Sequence, residues 1–178
     1  MHPTIFVNDQ IQLTGYRPED KAALIRFLND PVAYRNTLRI PKPYTDVHAD
    51  EWLAFVQNEL DTAHTPSKWA IRAASGELIG GMGRFLRNGP DSHVDEIGYW
   101  LGEPYRDQGI MTQVISRFCD WHFAHTPLVR IEATVFDYNA ASLRVLEKCG
   151  FEREGLARKK VQKDDQFLDA FLLARIKD

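Results

Sequence analysis

Glu96-Ile97-Gly98-Tyr99-Trp100-Leu101, followed after three residues by Tyr105-Arg106-Asp107-Gln108-Gly109-Ile110-Met111-Thr112, is the stretch whose reading decides the fold. The first run lies in a strand expected over residues 94–101. Helical spacing follows over residues 108–124, and residues 129–136 read as a further strand. A strand–helix–strand unit of this length implies a right-handed crossover, and therefore a parallel pair. The loop between strand and helix is suited to a ligand. A glycine at 109 lets the backbone approach without a Cβ in the way. The first N–H groups of a helix have no internal acceptor, and the macrodipole adds positive potential. A phosphate or pyrophosphate fits such a junction, and Thr112 adds a hydroxyl. The plain alternative is a strand–helix turn with one glycine. The loop is neither G-x-G-x-x-G nor a P-loop, because the Lys-Ser/Thr pair is absent.

Upstream, residues 11–16 read as a first strand, and Arg17-Pro18-Glu19-Asp20 opens a helix with proline and acids at its positive end. Ala22, Leu24, Ile25 and Leu28 lie near one face, and Asn29-Asp30-Pro31 stops the helix. Residues 39–45, with Pro41 and Pro43, are expected as a loop. A second helix is expected over residues 47–60, with Trp52, Leu53, Phe55 and Val56 inward. Strands follow over residues 69–73 and 78–86, the latter carrying Gly80, Gly81 and Gly83, and Asn88-Gly89-Pro90-Asp91 signals a turn. Downstream, Asn139 reads as the N-cap of a short helix over residues 140–148, with Gly150 at the C′ position. Two closing strands, 151–161 and 167–176, flank a turn at Asp164-Asp165. The whole reads as one α/β domain over residues 1–178, a twisted, mostly antiparallel mixed sheet with helices on both faces.

The bulk numbers exclude several functions. A chain of 178 residues suits a single domain, and 44% hydrophobic with 26% charged residues is an ordinary globular balance. The net charge of −3 does not call for nucleic acid or an anionic membrane as partner. No run of about eighteen apolar residues exists for a membrane span, and Met1-His2-Pro3-Thr4 lacks the regions of a signal peptide. Cys119 and Cys149 have no CxxC spacing. They read as reduced thiols of a cytoplasmic protein, and no Cys/His pair has the spacing of a zinc site.

A second motif joins the first: Asn139-Ala140-Ala141-Ser142-Leu143-Arg144-Val145-Leu146-Glu147-Lys148-Cys149-Gly150-Phe151. Together the two resemble the GNAT superfamily of N-acetyltransferases. Its Q/R-x-x-G-x-G/A loop is matched by Arg106, Gly109 and Met111, the last in place of the usual small residue. Its N-x-x-S-x-x-x-x-E-K-x-G-F run is matched by Asn139, Ser142, Glu147, Lys148, Gly150 and Phe151. With the strand from Glu96 to Leu101 upstream, the chain looks like the RimJ/RimL branch, named for ribosomal-protein N-terminal acetyltransferases. The resemblance spans essentially the whole chain and is strongest from Glu96 to Gly155.

That resemblance implies a GNAT fold whose parallel strand pair is splayed, and acetyl-CoA as co-substrate with no metal. It implies that Arg106, Gln108, Gly109, Ile110, Met111 and Thr112 cradle the pyrophosphate. The backbone of Tyr99, Trp100 and Leu101 would pair with the pantetheine arm and act as an oxyanion donor, Asn139 would hold that arm, and Ser142 would sit near the sulfur. Many family members carry an acid tyrosine seven residues after the motif asparagine; here that position is Leu146, which cannot donate, so Ser142 is the replacement. Glu96 is the candidate base, acting through water, with Asp169 as rival and His93 and His122 behind it. The alternative for Asp95 and Glu96 is a solvated strand start, and for His122, beside Trp121 and Phe123, simple packing. The acceptor amine is a protein N-terminus or a small molecule: a polyamine, an aminoglycoside or an amino acid. Its pocket is expected from residues 39–45 and 163–167, with Tyr34, Arg35, Tyr44, Asp46 and Trp52 nearby. Arg35, Arg39 and Lys42 speak against a polyamine. A non-catalytic CoA-binding module is a further alternative. A Rossmann-like nucleotide binder is disfavoured, because the glycine loop does not follow the first strand. The chain is expected as a monomer or homodimer.

Overall fold

The computed structural model describes residues 2–63, 66–87 and 89–177. Asn88, in the expected turn, and Met1 lie outside them. The strands are β1 (Ile5–Phe6), β2 (Ile11–Thr14), β3 (Lys68–Ala73), β4 (Leu78–Leu86), β5 (Val94–Leu101), β6 (Arg130–Phe136), β7 (Glu152–Lys163) and β8 (Gln166–Ile176). The α-helices are α1 (Lys21–Leu28), α2 (Pro31–Asn36), α3 (Asp46–Ala63), α4 (Ile110–His125) and α5 (Ala140–Lys148). Hydrogen-bonded neighbours run β1-β2-β3-β4-β5-β6-β8-β7. β5 and β6 are parallel, as the crossover through α4 requires, while β1–β2, β2–β3, β3–β4, β6–β8 and β7–β8 are antiparallel. The fold is therefore the mixed α/β sheet anticipated. The chain gathers into two compact units, Met1–Arg84 with Tyr99–Ile110, and Phe85–Gly98 with Met111–Asp178, so that β4 and β5 each give residues to both.

In the first unit Leu24, Leu28, Tyr44, Ala49, Ala70 and Leu78 form a core, with Tyr16, Trp52, Leu53 and Trp100 against it. β3 is buried through Trp69, Ala70, Ile71 and Arg72. The charge at Arg72 is satisfied in full. Its guanidinium forks onto Asp20 with two bonds of 2.7 Å, and donates to the Thr14 hydroxyl at 2.7 Å and to the carbonyls of Gly15 and Gly76 at 3.0 and 3.2 Å. Asp20 in turn accepts from the Arg17 N–H at 2.8 Å. A buried ion pair is tolerated only with such complete hydrogen bonding.

Three local expectations need correction in this unit. Asn29-Asp30-Pro31 does end α1, but Asp30 at once caps a further helix, α2, accepting from Val32 N at 3.0 Å and Ala33 N at 3.1 Å. Pro31 is then the first helical residue, where proline is favoured because its missing N–H is not needed. The short strand β1 was also not anticipated; it pairs Ile5 with Leu13. Phe55 was expected inward and is 49% exposed. The inward stripe of α3 is Ala49, Trp52, Leu53 and Val56, and Phe55 lies off it.

In the second unit β6 alternates, with Ile131, Ala133 and Val135 buried. α4 buries Met111, Val114, Ile115, Phe118, Cys119, His122 and Phe123. Gly150, at φ 81°, terminates α5 in the left-handed conformation that its C′ position asks for. Asp164 and Asp165 turn the β7–β8 hairpin with φ of 48° and 61°. Higher in that hairpin the register jumps. Ala157 pairs with Ala170 and Val161 with Leu168, so Arg158, Lys159 and Lys160 together face the single residue Asp169.

Candidate active site

The expected pyrophosphate loop precedes α4. Asp107 and Gly109 both have left-handed backbones, at φ 59° and 73°. Residues 107 to 109 are exposed, and a Cβ built on Gly109 would meet no atom within 4 Å. The glycine is thus required by backbone conformation, and the space beside it is open. Arg106 braces the loop from inside the first unit. Its Nε donates to the Leu101 carbonyl at 3.0 Å, and its terminal nitrogen pairs with Asp30. Burial pushes the Asp30 carboxyl up, but the Arg106 guanidinium and the Val32 and Ala33 N–H groups outweigh it and hold it below its ordinary range. Gln108 donates back to the Pro104 carbonyl at 2.8 Å. The capping of α2 and the bracing of the loop therefore share one carboxylate. Only the structure reveals this link, since 76 residues separate its ends.

Tyr99, Trp100 and Leu101 close β5 in the first unit. Two glycines let them sit tightly on β4: a Cβ at Gly80 would fall 2.6 Å from the Trp100 carbonyl, and one at Gly81 would fall 2.4 Å from the Trp100 indole nitrogen. Next along the chain, the Gly102 N–H reaches the Ile79 carbonyl at 2.8 Å. These contacts give the glycines of β4 a packing purpose that the sequence could only mark as unusual.

In the second unit the β5–β6 register runs Val94↔Arg130, Asp95↔Ile131 and Glu96↔Glu132 and ends there. β5 goes on through Ile97 and Gly98, and β6 goes on to Phe136. Glu96 is half-buried at this last pair, level with Glu132. Like charges opposite one another repel. Glu132 is offset by Arg87 at 2.5 Å and Arg130 at 2.6 Å. Asp95 is 2% exposed, so the alternative of a solvated strand start is excluded for it.

Asn139 caps α5, its side chain accepting from the Ser142 N–H at 3.2 Å. The cap fixes the first turn and holds Ser142 half-buried one residue before the buried Leu143. Leu146, on the same helix, is fully buried and belongs to the core. Met111 is also core, and Thr112 follows it half-buried, its carbonyl accepting from the Cys149 thiol at 3.3 Å.

Two of the rival bases, Asp169 and His122, have structural duties. Asp169 accepts the Lys159 N–H at 2.7 Å. His122 is fully buried, its Nδ1 on the Phe118 carbonyl at 2.8 Å and its ring packed on Phe118 and Trp121. His93 is exposed. Of the residues expected around the acceptor, Tyr44 is a core residue at 6% exposure, its phenol pushed up to about 12 by burial. Asp46 pairs with Lys21 at 3.3 Å, and Trp52 packs edge-on against Tyr16. Tyr34 and Arg35 lie on α2, half-buried and exposed respectively. Among the described residues no group of three or more His, Cys, Asp or Glu side chains is placed to hold a metal ion, and no helix is long and apolar enough to cross a membrane.

Comparison with known proteins converges on one family. The model of the acetyltransferase (GNAT) domain matches residues 10–152. Over 170 residues the chain is 28% identical to the L-amino acid N-acetyltransferase AaaT of Escherichia coli, covering 94% of this chain and 99% of that one. It is 31% identical to the ribosomal-protein-serine acetyltransferase of the same organism, over 71% of this chain and 76% of that one. Against the probable N-acetyltransferase YjcK of Bacillus subtilis the identity is 44%, but the match spans only 44% of this chain and 43% of that protein. Among solved structures, the ribosomal L7/L12 acetyltransferase RimL in complex with coenzyme A superposes with a TM-score of 0.85 at 19% identity, covering 98% of both chains. The overall fold is thus shared with known acetyltransferase structures, and the chain belongs to the GNAT acetyltransferase family, a family of acyltransferases.

Proposed function

We propose that this protein carries the acetyl group of acetyl-CoA to a primary α-amine in the cytoplasm, by direct attack of the amine on the thioester. The observation that carries the reading is the start of α4: a left-handed, exposed Gly109 with open space on its Cβ side, leading into a helix of 16 residues. Alternating backbone conformations of this kind aim successive N–H groups at an anion. Gly109, Ile110, Met111 and Thr112 supply those groups, Gln108 borders them, and Arg106 keeps the loop in shape through Leu101 and Asp30. β5 residues Tyr99, Trp100 and Leu101 offer backbone groups to the amide-rich arm. The end of the β5–β6 register at Glu96 supports that role, because a ladder that stops leaves backbone groups in want of partners. Asn139 offers its amide nitrogen, its oxygen being engaged in the cap.

When bound, acetyl-CoA supplies an activated acyl carbon and a thiolate leaving group. The amine nitrogen forms the new bond to that carbon as the carbon–sulfur bond breaks. Glu96, through water, takes the proton that the amine sheds, and the Ser142 hydroxyl donates a hydrogen bond to the departing sulfur. Holding both partners together accounts for much of the rate, on the order of 7–11 kcal/mol at best. An α-amine is favoured as acceptor because the two named relatives that cover most of the chain act on an L-amino acid and on a ribosomal-protein serine. A thiol-release assay tests the reading with acetyl-CoA and a panel of free amino acids, short peptides, spermidine and an aminoglycoside. Release stimulated by α-amines is expected. CoA binding without release for any amine would instead make this a binding module.

A further inference from the structure

The β7 bulge presents three consecutive cations around one carboxylate, Asp169, which is bound to its backbone. Arg158, Lys159 and Lys160 are exposed, and among the described residues no carboxylate pairs with their side chains. Elsewhere in the same unit four arginines have carboxylate partners: Arg87 and Arg130 with Glu132, Arg130 also with Glu154, Arg153 with Glu147, and Arg175 with Asp120. The bulge is also built rather than frayed. Lys159 has φ 50°, in the left-handed region that disfavours a lysine. The Asp169 carboxylate holds it there by accepting the Lys159 N–H at 2.7 Å. A backbone outlier pinned by a half-buried carboxylate, with three exposed cations around it, makes a surface suited to an anionic ligand.

Its position says which ligand. Phe136, Ala170 and Ala157 stand level across β6, β8 and β7. One step further, the Asp137 N–H donates to the Asp169 carbonyl at 3.1 Å. The bulge therefore lies level with the end of β6, two residues before the Asn139 cap. Two strand spacings separate β7 from β6, about 10 Å, which is within the combined reach of a long cationic side chain and a small acceptor. We propose that Arg158, Lys159 and Lys160 form a carboxylate-reading subsite that selects acceptors carrying a negative charge near the reacting amine. This rests on the acetyl-transfer reading above and narrows its substrate class. It sets the protein against polyamines, which bring positive charge to a positive surface.

The carboxylate can be the α-carboxylate of a free amino acid or an acidic side chain near a peptide N-terminus, and the test separates them. kcat/KM is measured for alanine against alaninamide, and for Ala-Asp-Ala amide against Ala-Asn-Ala amide. Wild type is compared with Arg158→Glu/Lys160→Glu and, as a milder form, Arg158→Gln/Lys160→Gln. Dividing the wild-type preference by that of the variant cancels the intrinsic basicity of each amine. The charge-reversed protein is expected to lose about tenfold of the preference for the charged member of one pair, with the neutral variant between. That preference in the wild type should also fade as salt is raised. The pair that responds identifies the source of the carboxylate. Preferences unchanged in both variants, with transfer still proceeding, would overturn the subsite and leave the acetyltransferase reading standing. A wild-type protein that acetylates none of these amines would overturn both.

Discussion

Replacing Gly109 by alanine separates two effects that usually travel together, the cost to the fold and the cost to a ligand. At φ 73° an L-residue is strained, by about 1–2 kcal/mol. No protein atom lies within 4 Å of the new Cβ, so there is no clash to add. The unliganded variant should therefore fold, with a Tm lower by roughly 2–8 °C for a chain of this size. The ligand is affected differently. The methyl would occupy the open side of the loop, where the pyrophosphate must approach the backbone. Acetyl-CoA at a hundred times its dissociation constant stabilises the wild type by about 2.7 kcal/mol. A tenfold weaker affinity at the same concentration leaves about 1.4 kcal/mol of that gain. Gly109→Asn serves as the control, since asparagine tolerates the left-handed region better while still adding a Cβ. Thermal scans with and without CoA, paired with calorimetry, read both effects. Alanine and asparagine variants that keep wild-type CoA affinity would refute the reasoning and place the phosphates away from this loop.

The other predictions concern catalysis and the buried charge. Ser142→Ala should slow acetyl transfer tenfold to a hundredfold with little change in CoA affinity, and a donor with a more acidic leaving thiol should recover part of the loss; a fully active variant would make the hydroxyl a bystander. Glu96→Gln should lower turnover by roughly a hundredfold near neutral pH, and the deficit should shrink as pH rises and the amine deprotonates unaided; an unaltered pH–rate profile would remove Glu96 from the proton path. Arg72→Leu should cost about 3–5 kcal/mol by stranding Asp20 in the interior, a fall in Tm of roughly 6–20 °C. Adding Asp20→Leu should return part of that loss. Denaturant melts of the single and double variants measure it, and additive losses would mean the pair is not coupled.

Much of this was legible in the sequence because periodicity and end signals agreed. β4, β5 and α5 fall where their patterns and caps placed them, from Leu78, Val94 and Ala140 onward. The crossover rule alone made β5–β6 parallel. The misreadings have physical causes. Pro31 serves equally to stop one helix and to start the next, and only Asp30 taking up the N–H groups of Val32 and Ala33 decides for the second. Tyr44 looked like an aromatic of an acceptor loop. It is instead a core residue, because the Asn29 side chain clasps the backbone of Tyr44 on both sides, at 2.9 and 2.7 Å. The β7 bulge had almost no signal: residues 151–161 read as one unbroken strand, and only the Lys159 N–H on Asp169 and the jump in register show the break. Asp169 itself, weighed as a base, could not have been assigned to a backbone N–H ten residues away in sequence.

The central claim, direct transfer of an acetyl group to an amine, is tested most directly by stoichiometry. Purified protein is mixed with acetyl-CoA and an α-amine acceptor, and free thiol and N-acetylated product are counted in the same sample by mass spectrometry, along with the mass of the intact protein. The account predicts one thiol released for each acetylated amine, with no acetyl left on the protein, and the same counts in the Ser142→Ala variant at a slower rate. Thiol released without acetylated amine, or an acetyl group accumulating on the protein, would contradict it.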